Sequence, residues 1–334
     1  MGKVTGIKKN SAFVLATHIL RLIANSFLFI GLARFYGPTE FGQFTAAHTL
    51  STIFVILADF GFDVLLVTEV ARQKLRATEI AQRYLSMKLI FSFAASCLML
   101  GFAYLQDVSP ATKNLMYLFS LYVLLSALMN FFFALFRAVE EMHHETRISF
   151  FMNAILVMVA LFLGVYHAPL WLIAAVFIGS RFIGLILAIV EGERLVSLRS
   201  FKLVFGRPED LVQMSVFGLH ALFGNLFFVQ DTILLSWWAG DHQVGVYQAV
   251  FKVVVLGLMI SDVSFYAILP VLSRLHRENT GQWIAVGRLL HKTLLFVSLP
   301  IAFVCIVFAD QVIGILYGAK AYEEAVPLLR VFGW

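Results

Sequence analysis

Charge is scarce in this chain: only 13% of its 334 residues are Asp, Glu, Lys or Arg, about half the quarter that is usual in soluble domains. So few ionised groups cannot solvate a globular surface of this size. With 60% hydrophobic residues and a mean hydropathy of +0.87, most of the chain must have lipid as its solvent. Cysteine is scarcer still. Cys97 and Cys305 each lie in an apolar run without a partner nearby, which excludes a disulfide framework and a thiolate metal site. Also missing are a nucleophile motif, a phosphate-cradling glycine loop and paired acids in a convincing context. The net charge of +5 needs no nucleic acid to explain it; what matters is where those charges sit.

What the chain does have is long apolar segments, near 11–34, 41–67, 84–105, 115–136, 149–166, 170–190, 211–238, 243–269 and 285–309. Each is about the 20 residues that a spanning helix needs. The basic start "MGKVTGIKKN" imitates a secretory signal, but the apolar part is too long, lacks a small-x-small cleavage site and contains His18, Arg21 and Asn25. It reads as a retained first helix. The expected fold class is an all-α polytopic membrane protein with about nine complete transmembrane helices.

Basic residues fall on alternate connections. One set of loops holds Lys3, Lys8, Lys9, Arg72, Lys74, Arg76, Arg137, Arg147, Arg194, Arg199, Lys202 and Arg207, among others. The opposite loops, "YGPTE", "QDVSPATKN", "YHAPL", "AGDHQ" and "ADQVIGILYGAKAYEE", offer only Lys113 and Lys320. The positive-inside rule makes the first set cytoplasmic, the N-terminus included. Trp171, Trp237 and Trp238 then lie at the outer helix ends, where an aromatic belt is expected. The implied location is a bacterial or archaeal cytoplasmic (inner) membrane.

"LARFYGPTEFGQF" (32–44) has an echo in "LSWWAGDHQVGVY" (235–247). At a gapless offset of 203, Gly37 pairs with Gly240, Gly42 with Gly245, Phe44 with Tyr247 and Asp59 with Asp262. Two ordinary hairpin turns would also contain glycine, but the spaced glycines, the aromatic and the aspartate in register favour duplication. Helices 1 and 2 then match helices 7 and 8. Six spans separate them, so the copies share one orientation and are related by an axis along the membrane normal. The expected organisation is an N-terminal six-helix lobe over 1–190, a cytoplasmic linker over 191–210, and an incomplete C-terminal lobe over 211–334 with helices 7–9 and the start of helix 10. By this span count about the last 60 to 90 residues of a full second lobe are lacking.

The stretch "LARFYGPTEFGQFTAAHTLSTIFVILADFGFDVLLVTEVAR" resembles the opening of the Wzx-type O-antigen and exopolysaccharide flippases, members of the multidrug/oligosaccharidyl-lipid/polysaccharide (MOP) exporter superfamily. "FVQDTILLSWWAGDHQVGVYQAVFKV" and "AILPVLSRL" resemble their seventh and eighth helices, and "ILYGAKAYEEAVPLLRVFG" their ninth-to-tenth connection. The resemblance implies a two-lobed transporter, helices 1–6 and 7–12 being pseudo-symmetric. It further implies flipping of a polyprenyl-diphosphate-linked oligosaccharide (a lipopolysaccharide O-antigen or exopolysaccharide repeat unit) by alternating access, with no enzymatic step and no cofactor. Implied partners are membrane lipid, a coupling proton or sodium ion, and the glycan polymerase and chain-length machinery. Alternatives are a multidrug or other amphiphile exporter of the same superfamily, and a membrane enzyme acting on the same lipid carrier. The short outer loops leave such an enzyme no room for a catalytic domain.

A charge at the centre of a spanning helix costs roughly 2.5–3.5 kcal/mol on insertion scales, so it faces a cavity or a partner. His18, Arg21 and Asn25 share one face of helix 1, and Thr45, His48, Thr52, Asp59 and Asp63 one stripe of helix 2. Helix 6 adds Arg181, helix 7 adds His220, Asn225 and Asp231, and helix 8 adds Lys252 and Asp262. A cavity with Arg21, Arg181 and Lys252 suits a diphosphate, and Asn25 and Asn225 suit sugar hydroxyls. His18, His48, His220 and Asp231 are candidates for proton or ion coupling. Asp59, Asp63 and Asp262 read as structural or helix-end residues. The plainer alternative pairs Arg21 with Asp59 or Asp63, and Lys252 with Asp231. "EEMHHETR" (140–147) has a metal-site look but lacks spaced Cys and His ligands, so it is read as a charged loop and no metal is assigned.

Overall fold

The computed structural model describes the backbone of residues 2–196, 208–278, 280–318 and 320–334. It describes their side chains except at 2–21, 208, 210, 260, 262, 263, 265–267, 269, 270, 277, 278 and 280. All regular structure among the described residues is helical. Lipid offers a backbone N–H or C=O no hydrogen-bond partner, and a helix satisfies both within one segment. The helices are α1 (Gly2–Asp59), α2 (Phe62–Arg72), α3 (Ala77–Leu105), α4 (Pro110–Ala138), α5 (Met142–Val165) and α6 (Leu170–Leu195). After them come α7 (Pro208–Trp238), α8 (Gly240–Glu278), α9 (Thr280–Val307), α10 (Ala309–Tyr317) and α11 (Ala325–Phe332). Relative to the boundaries expected from sequence, α6 runs five residues past 190 and α7 starts three before 211; most of the linker, 197–207, lies outside the described residues.

Eight described helices are long and apolar enough to cross a membrane, the first over Leu22–Arg72. That first one holds two crossings. Gly37 sits at φ 72°, ψ 175°, followed by Pro38, a residue suited to the first position of a new helix. The rings of Phe29 and His48 are 5.2 Å apart, whereas 19 residues of straight helix would separate them by about 28 Å. Thus α1 doubles back at Gly37, and its two limbs are the first two spans of the sequence reading. In the first half α4 is the buried centre, packing on α1, α3 and α6, while α5 packs on α1 and α6. The chain is a multi-pass membrane protein.

Gly240, between α7 and α8, also has a positive φ, 80°. The two turns meet. A Cβ on Gly42 would lie 1.8 Å from the Asp241 carbonyl oxygen, and one on Gly245 would lie 1.8 Å from that of Pro38. Between them Thr39 Oγ1 and His242 Nδ1 are 3.3 Å apart, across a sequence separation of 203. The contact of Gly42 with Asp241 is thus repeated between their repeat partners, Gly245 and Pro38, and Thr39 faces its own partner His242, which is the signature of a two-fold axis. The short connection occurs twice because each copy leaves room for the backbone of the other. The resulting α1–α8 interface is the most extensive between any two helices.

All five charge-poor connections gather at this end of the bundle, hereafter the turn end. Tyr36 Oη donates to Ala168 O (2.5 Å), and Ser109 Oγ and Thr112 Oγ1 donate to the Asp241 carboxylate (2.6 and 2.9 Å). Arg34 reaches Ile315 O at 2.8 Å, and Gln243 reaches Glu324 at 3.1 Å. Tyr317 donates to Ala249 O (2.8 Å) and Tyr322 to Ala33 O (3.0 Å), so the segment around α10 stitches α8 to the first limb of α1. Burial raises both phenols above their ordinary pKa, which keeps these donors protonated. The opposite, basic end is laced by Lys74–Glu140 (2.7 Å), Arg83–Glu69 (2.6 Å) and Arg147–Glu191 (2.5 Å).

Valine at Gly42 or Gly245 should lower the thermal midpoint by about 5–10 °C, since backbone must yield to make room. Alanine at Gly101 or Gly179, where an added Cβ meets nothing within 4 Å, should leave it unchanged or raise it. Unfolding followed by tryptophan fluorescence in detergent measures both; equal effects at all four glycines would contradict the docking of the two turns.

Candidate functional site

At 1.5 Å per residue, His48 stands about 16 Å from the turn at Gly37 and Lys252 about 18 Å from the turn at Gly240. Both are therefore near the middle of a hydrocarbon core about 30 Å thick. The α1–α8 contact brings them together. Lys252 Nζ lies 4.4 Å from the ring centroid of Phe29, a cation–π contact between the two halves. His48 is boxed by Phe29, Phe44, Phe119, Tyr122 and Phe177, with ring centroids 5.2–6.2 Å away. Lys252 and Arg181 both act on it electrostatically.

Beside this box is a cavity of about 230 Å³, walled by both limbs of α1 and by α4, α5 and α6. Its polar lining comprises Asn25, Thr52, Tyr122, Ser126, Asn130, Asn153 and Arg181. Arg181 Nη2 donates to Tyr122 Oη at 3.1 Å, and its guanidinium stands 5.2 Å from the centroid of that ring. Two buried polar atoms here have no hydrogen-bond partner: Arg181 Nε and Ser126 Oγ. An unsatisfied buried group costs about 1–3 kcal/mol, and here that leaves a guanidinium N–H whose hydrogen-bonding capacity the protein does not use. Among the described residues no carboxylate pairs with Arg181 or Lys252. The lining thus offers one fixed cation, three amides and hydroxyls: acceptor-seeking charge beside neutral hydrogen-bonding groups.

Of the residues expected here from sequence, Asn25 and Arg181 meet in this cavity, with Lys252 and His48 next to it. Asn225 and His220 do not join them. Both are exposed on α7, and Asn225 Nδ2 donates within its own helix to Ala221 O (2.8 Å). The side chains of His18, Arg21 and Asp262 lie outside the described residues. The alternative pairing of Lys252 with Asp231 is not found: Asp231 accepts from Tyr247 Oη at 2.8 Å, and Lys252 sits on Phe29. Asn130, Asn153, Ser126 and Tyr122 are additions that sequence reasoning missed, although asparagines inside apolar runs are themselves a signal.

Lys88 is the largest omission. It is fully buried on α3, and its ammonium contacts Asp59 at 2.5 Å and Asp63 at 3.0 Å. Those acids stand on either side of a helix break, where Phe60 and Gly61 have φ of 38° and 87°. Lys88, rather than Arg21, is the partner that the described residues supply. The broken segment presses on α7, where a Cβ on Gly61 would lie 2.7 Å from Met214 O and one on Gly218 would lie 2.8 Å from the Phe60 carbonyl carbon. A lysine eleven residues into an apolar helix was the available sign.

At the basic end, ligand-type atoms of Glu141, His143 and His144 lie within 4.8 Å of one another. His143 Nδ1 contacts Glu141 at 3.1 Å, and His144 Nδ1 is 3.4 Å from Glu191. Glu191 already holds Arg147 and Arg194 (2.5 and 3.1 Å). Two guanidiniums on the one further carboxylate make this an ion-pair clasp between α5 and α6.

The described residues thus form a helical membrane bundle in which two hairpin turns meet about a local two-fold axis and a polar hollow lies at mid-depth. The sequence matches the polysaccharide biosynthesis protein family over residues 7–276, and the chain belongs to that family. Its structure is similar to an inward-facing multidrug resistance MATE family transporter of the MOP superfamily, with a TM-score of 0.68 at 13% identity, over 95% of this chain and 79% of that one. An outward-facing MATE transporter of the same superfamily gives 0.64 at 14% identity, over 98% and 78% of the two chains. A MATE protein in a bent conformation gives 0.56 at 14% identity, over 97% and 77%. At these identities the likeness shows the fold, which is MOP-type. No curated protein matches the sequence.

Replacing Lys88 alone by Met should destabilise the protein by about 3–5 kcal/mol, because two buried carboxylates lose their shared cation. Adding Asp59→Asn and Asp63→Asn to Lys88→Met should recover most of that loss. Thermal denaturation of the unsubstituted, single and triple proteins measures it; a single variant as stable as the triple would show that the ammonium is not holding the break.

Proposed function

We propose that this protein flips a polyprenyl-diphosphate-linked oligosaccharide across the cytoplasmic membrane, by alternating access of its two helical halves. The observation that carries the reading is the mid-depth cavity, with a buried guanidinium nitrogen that has no partner and amides around it. A diphosphate supplies acceptor oxygens for Arg181, whose planar fork matches them, and Lys252 approaches from the other half as a second cation. Asn25, Asn130 and Asn153 can hydrogen-bond the sugar nearest the diphosphate. Unaided crossing would strip water from both diphosphate and glycan, which is prohibitive; the polyprenyl tail can stay in lipid throughout. Membership of a polysaccharide biosynthesis family supports a glycan-bearing cargo. Multidrug export, the activity named for two of the structural neighbours, fits less well if the drug is a cation, because no acid lines this cavity.

Carried through, the reading places the basic end in the cytoplasm and the turn end outside. The glycine-cushioned α1–α8 contact is then the outer closure, and the Gly61–Gly218 contact lies towards the cytoplasm. Opening the first while the halves rock would release the cargo outward.

Arg181→Gln and Lys252→Gln should each lower surface glycan at least tenfold at unchanged protein level, in a host that depends on this protein for export. Loss of one charge-assisted hydrogen bond is worth about 1.5–3 kcal/mol. Normal export by both variants would remove the cavity from the transport path. Orientation has its own check, in a protein whose Cys97 and Cys305 are first replaced. A cysteine at 113 should react with an impermeant maleimide in intact cells, and one at 74 only after permeabilisation; the reverse would invert the topology.

A further inference from the structure

A second cavity, of about 370 Å³, opens at the turn end, between the hairpin turn of α1, the first turns of α4 and the α5–α6 connection. It falls within the roughly 300–1,000 Å³ typical of ligand pockets. Its charge is the opposite of the mid-depth cavity's: Glu40 is the one ionised residue in its lining, and no lysine or arginine is there. Glu40, Gln43 and Asn114 line it, and among the described residues none of the three side chains is hydrogen-bonded to protein. Tyr36, His167 and Trp171 supply flat faces. Tyr36 is fixed by its bond to Ala168 O, and its ring stands 6.3 Å from that of His167 at 77°. Trp171 is 58% exposed. His167 lies just past the end of α5 at φ 50°, the left-handed residue of a helix-closing turn in which its N–H and that of Ala168 return to Gly164 O and Leu163 O (both 3.0 Å).

Amides and a carboxylate with unused capacity, set beside aromatic faces, suit a ligand that has an apolar face and a rim of hydroxyls. A sugar ring is such a ligand. We infer that the turn-end cavity is a saccharide-binding site, which holds an uncharged or amine-bearing part of the glycan at the outer surface after the diphosphate has passed the mid-depth cations. The inference rests on the glycan-flipping reading for its biological use, but the binding itself can be measured without transport. A phospholipid headgroup is the other chemistry that reaches this depth. Its phosphate would find no cation here, and that argues for the sugar.

The test uses the full chain in phosphatidylcholine nanodiscs, titrated with maltose, diacetylchitobiose and chitosan disaccharide. Glycerophosphoethanolamine serves as the headgroup control, and tryptophan fluorescence is read against the Trp171→Phe protein. At least one saccharide should give a saturable change that Trp171→Phe abolishes and that Glu40→Gln and Asn114→Ala weaken at least tenfold. Glu40 and Asn114 are exposed and make no hydrogen bond to protein, so these variants should stay folded and monodisperse. Arg181→Gln should leave saccharide affinity unchanged. No response to any saccharide, a response to the headgroup analogue instead, or full affinity in both polar variants would overturn the site. Because the readout is binding, failure here with export still dependent on Arg181 leaves the transport reading standing. Saccharide binding with export indifferent to Arg181 and Lys252 would do the reverse.

Discussion

Among the described glycines, two leave the least room for a side chain, each facing a carbonyl beside the other. Gly42 lies against Asp241 and Gly245 against Pro38, and a methyl group on either would hold the second limb of α1 away from α8. That separation would propagate. Lys252 reaches Phe29 only because α8 lies tight on α1, and the same proximity lets it act on His48. The site is therefore assembled by backbone packing well above it, in a medium where apolar contact between helices gains little and close fit is what holds them.

Around that contact the ionisable groups sort by depth. The mid-depth cavity has a guanidinium and no acid; the turn-end cavity has a carboxyl residue and no lysine or arginine. Further towards the basic end, one ammonium satisfies two acids across a broken helix. Each arrangement answers the cost of charge in hydrocarbon differently. Lys88 is compensated within the protein, whereas Arg181 is left with a nitrogen unmet. Compensation marks a structural tie, and incomplete compensation marks a place where something else arrives.

Much of the fold was legible in the sequence because lipid simplifies the code: an apolar run of about 20 residues can only be a spanning helix. The repeat was legible too, since Gly37 and Gly240 both take positive φ and such positions select glycine strongly. The site was only half legible. A stripe of polar residues on one helix says that it has a wet face, but not which other faces it meets. Asn25 and Arg181 converge, while Asn225 turns its amide back to its own helix. The tie from Lys88 to Asp59 and Asp63 was not legible, because no acid's sequence position tells which cation will reach it. The turn-end cavity could not be read at all, because it joins residues of three connections whose mutual distance no periodicity encodes.

One break in the two-fold has a visible partner. Where the first copy has Pro38, the second has Asp241, and that carboxylate accepts hydrogen bonds from Ser109 and Thr112 at the start of α4. No counterpart anchors the proline. The later half thus leans on the earlier one for a partner that the earlier half does not require in return. Since a ribosome delivers Ser109 and Thr112 some 130 residues ahead of Asp241, the acceptor of that bond always emerges onto a waiting surface, and synthesis gives the assembly a direction that symmetry alone would have left open.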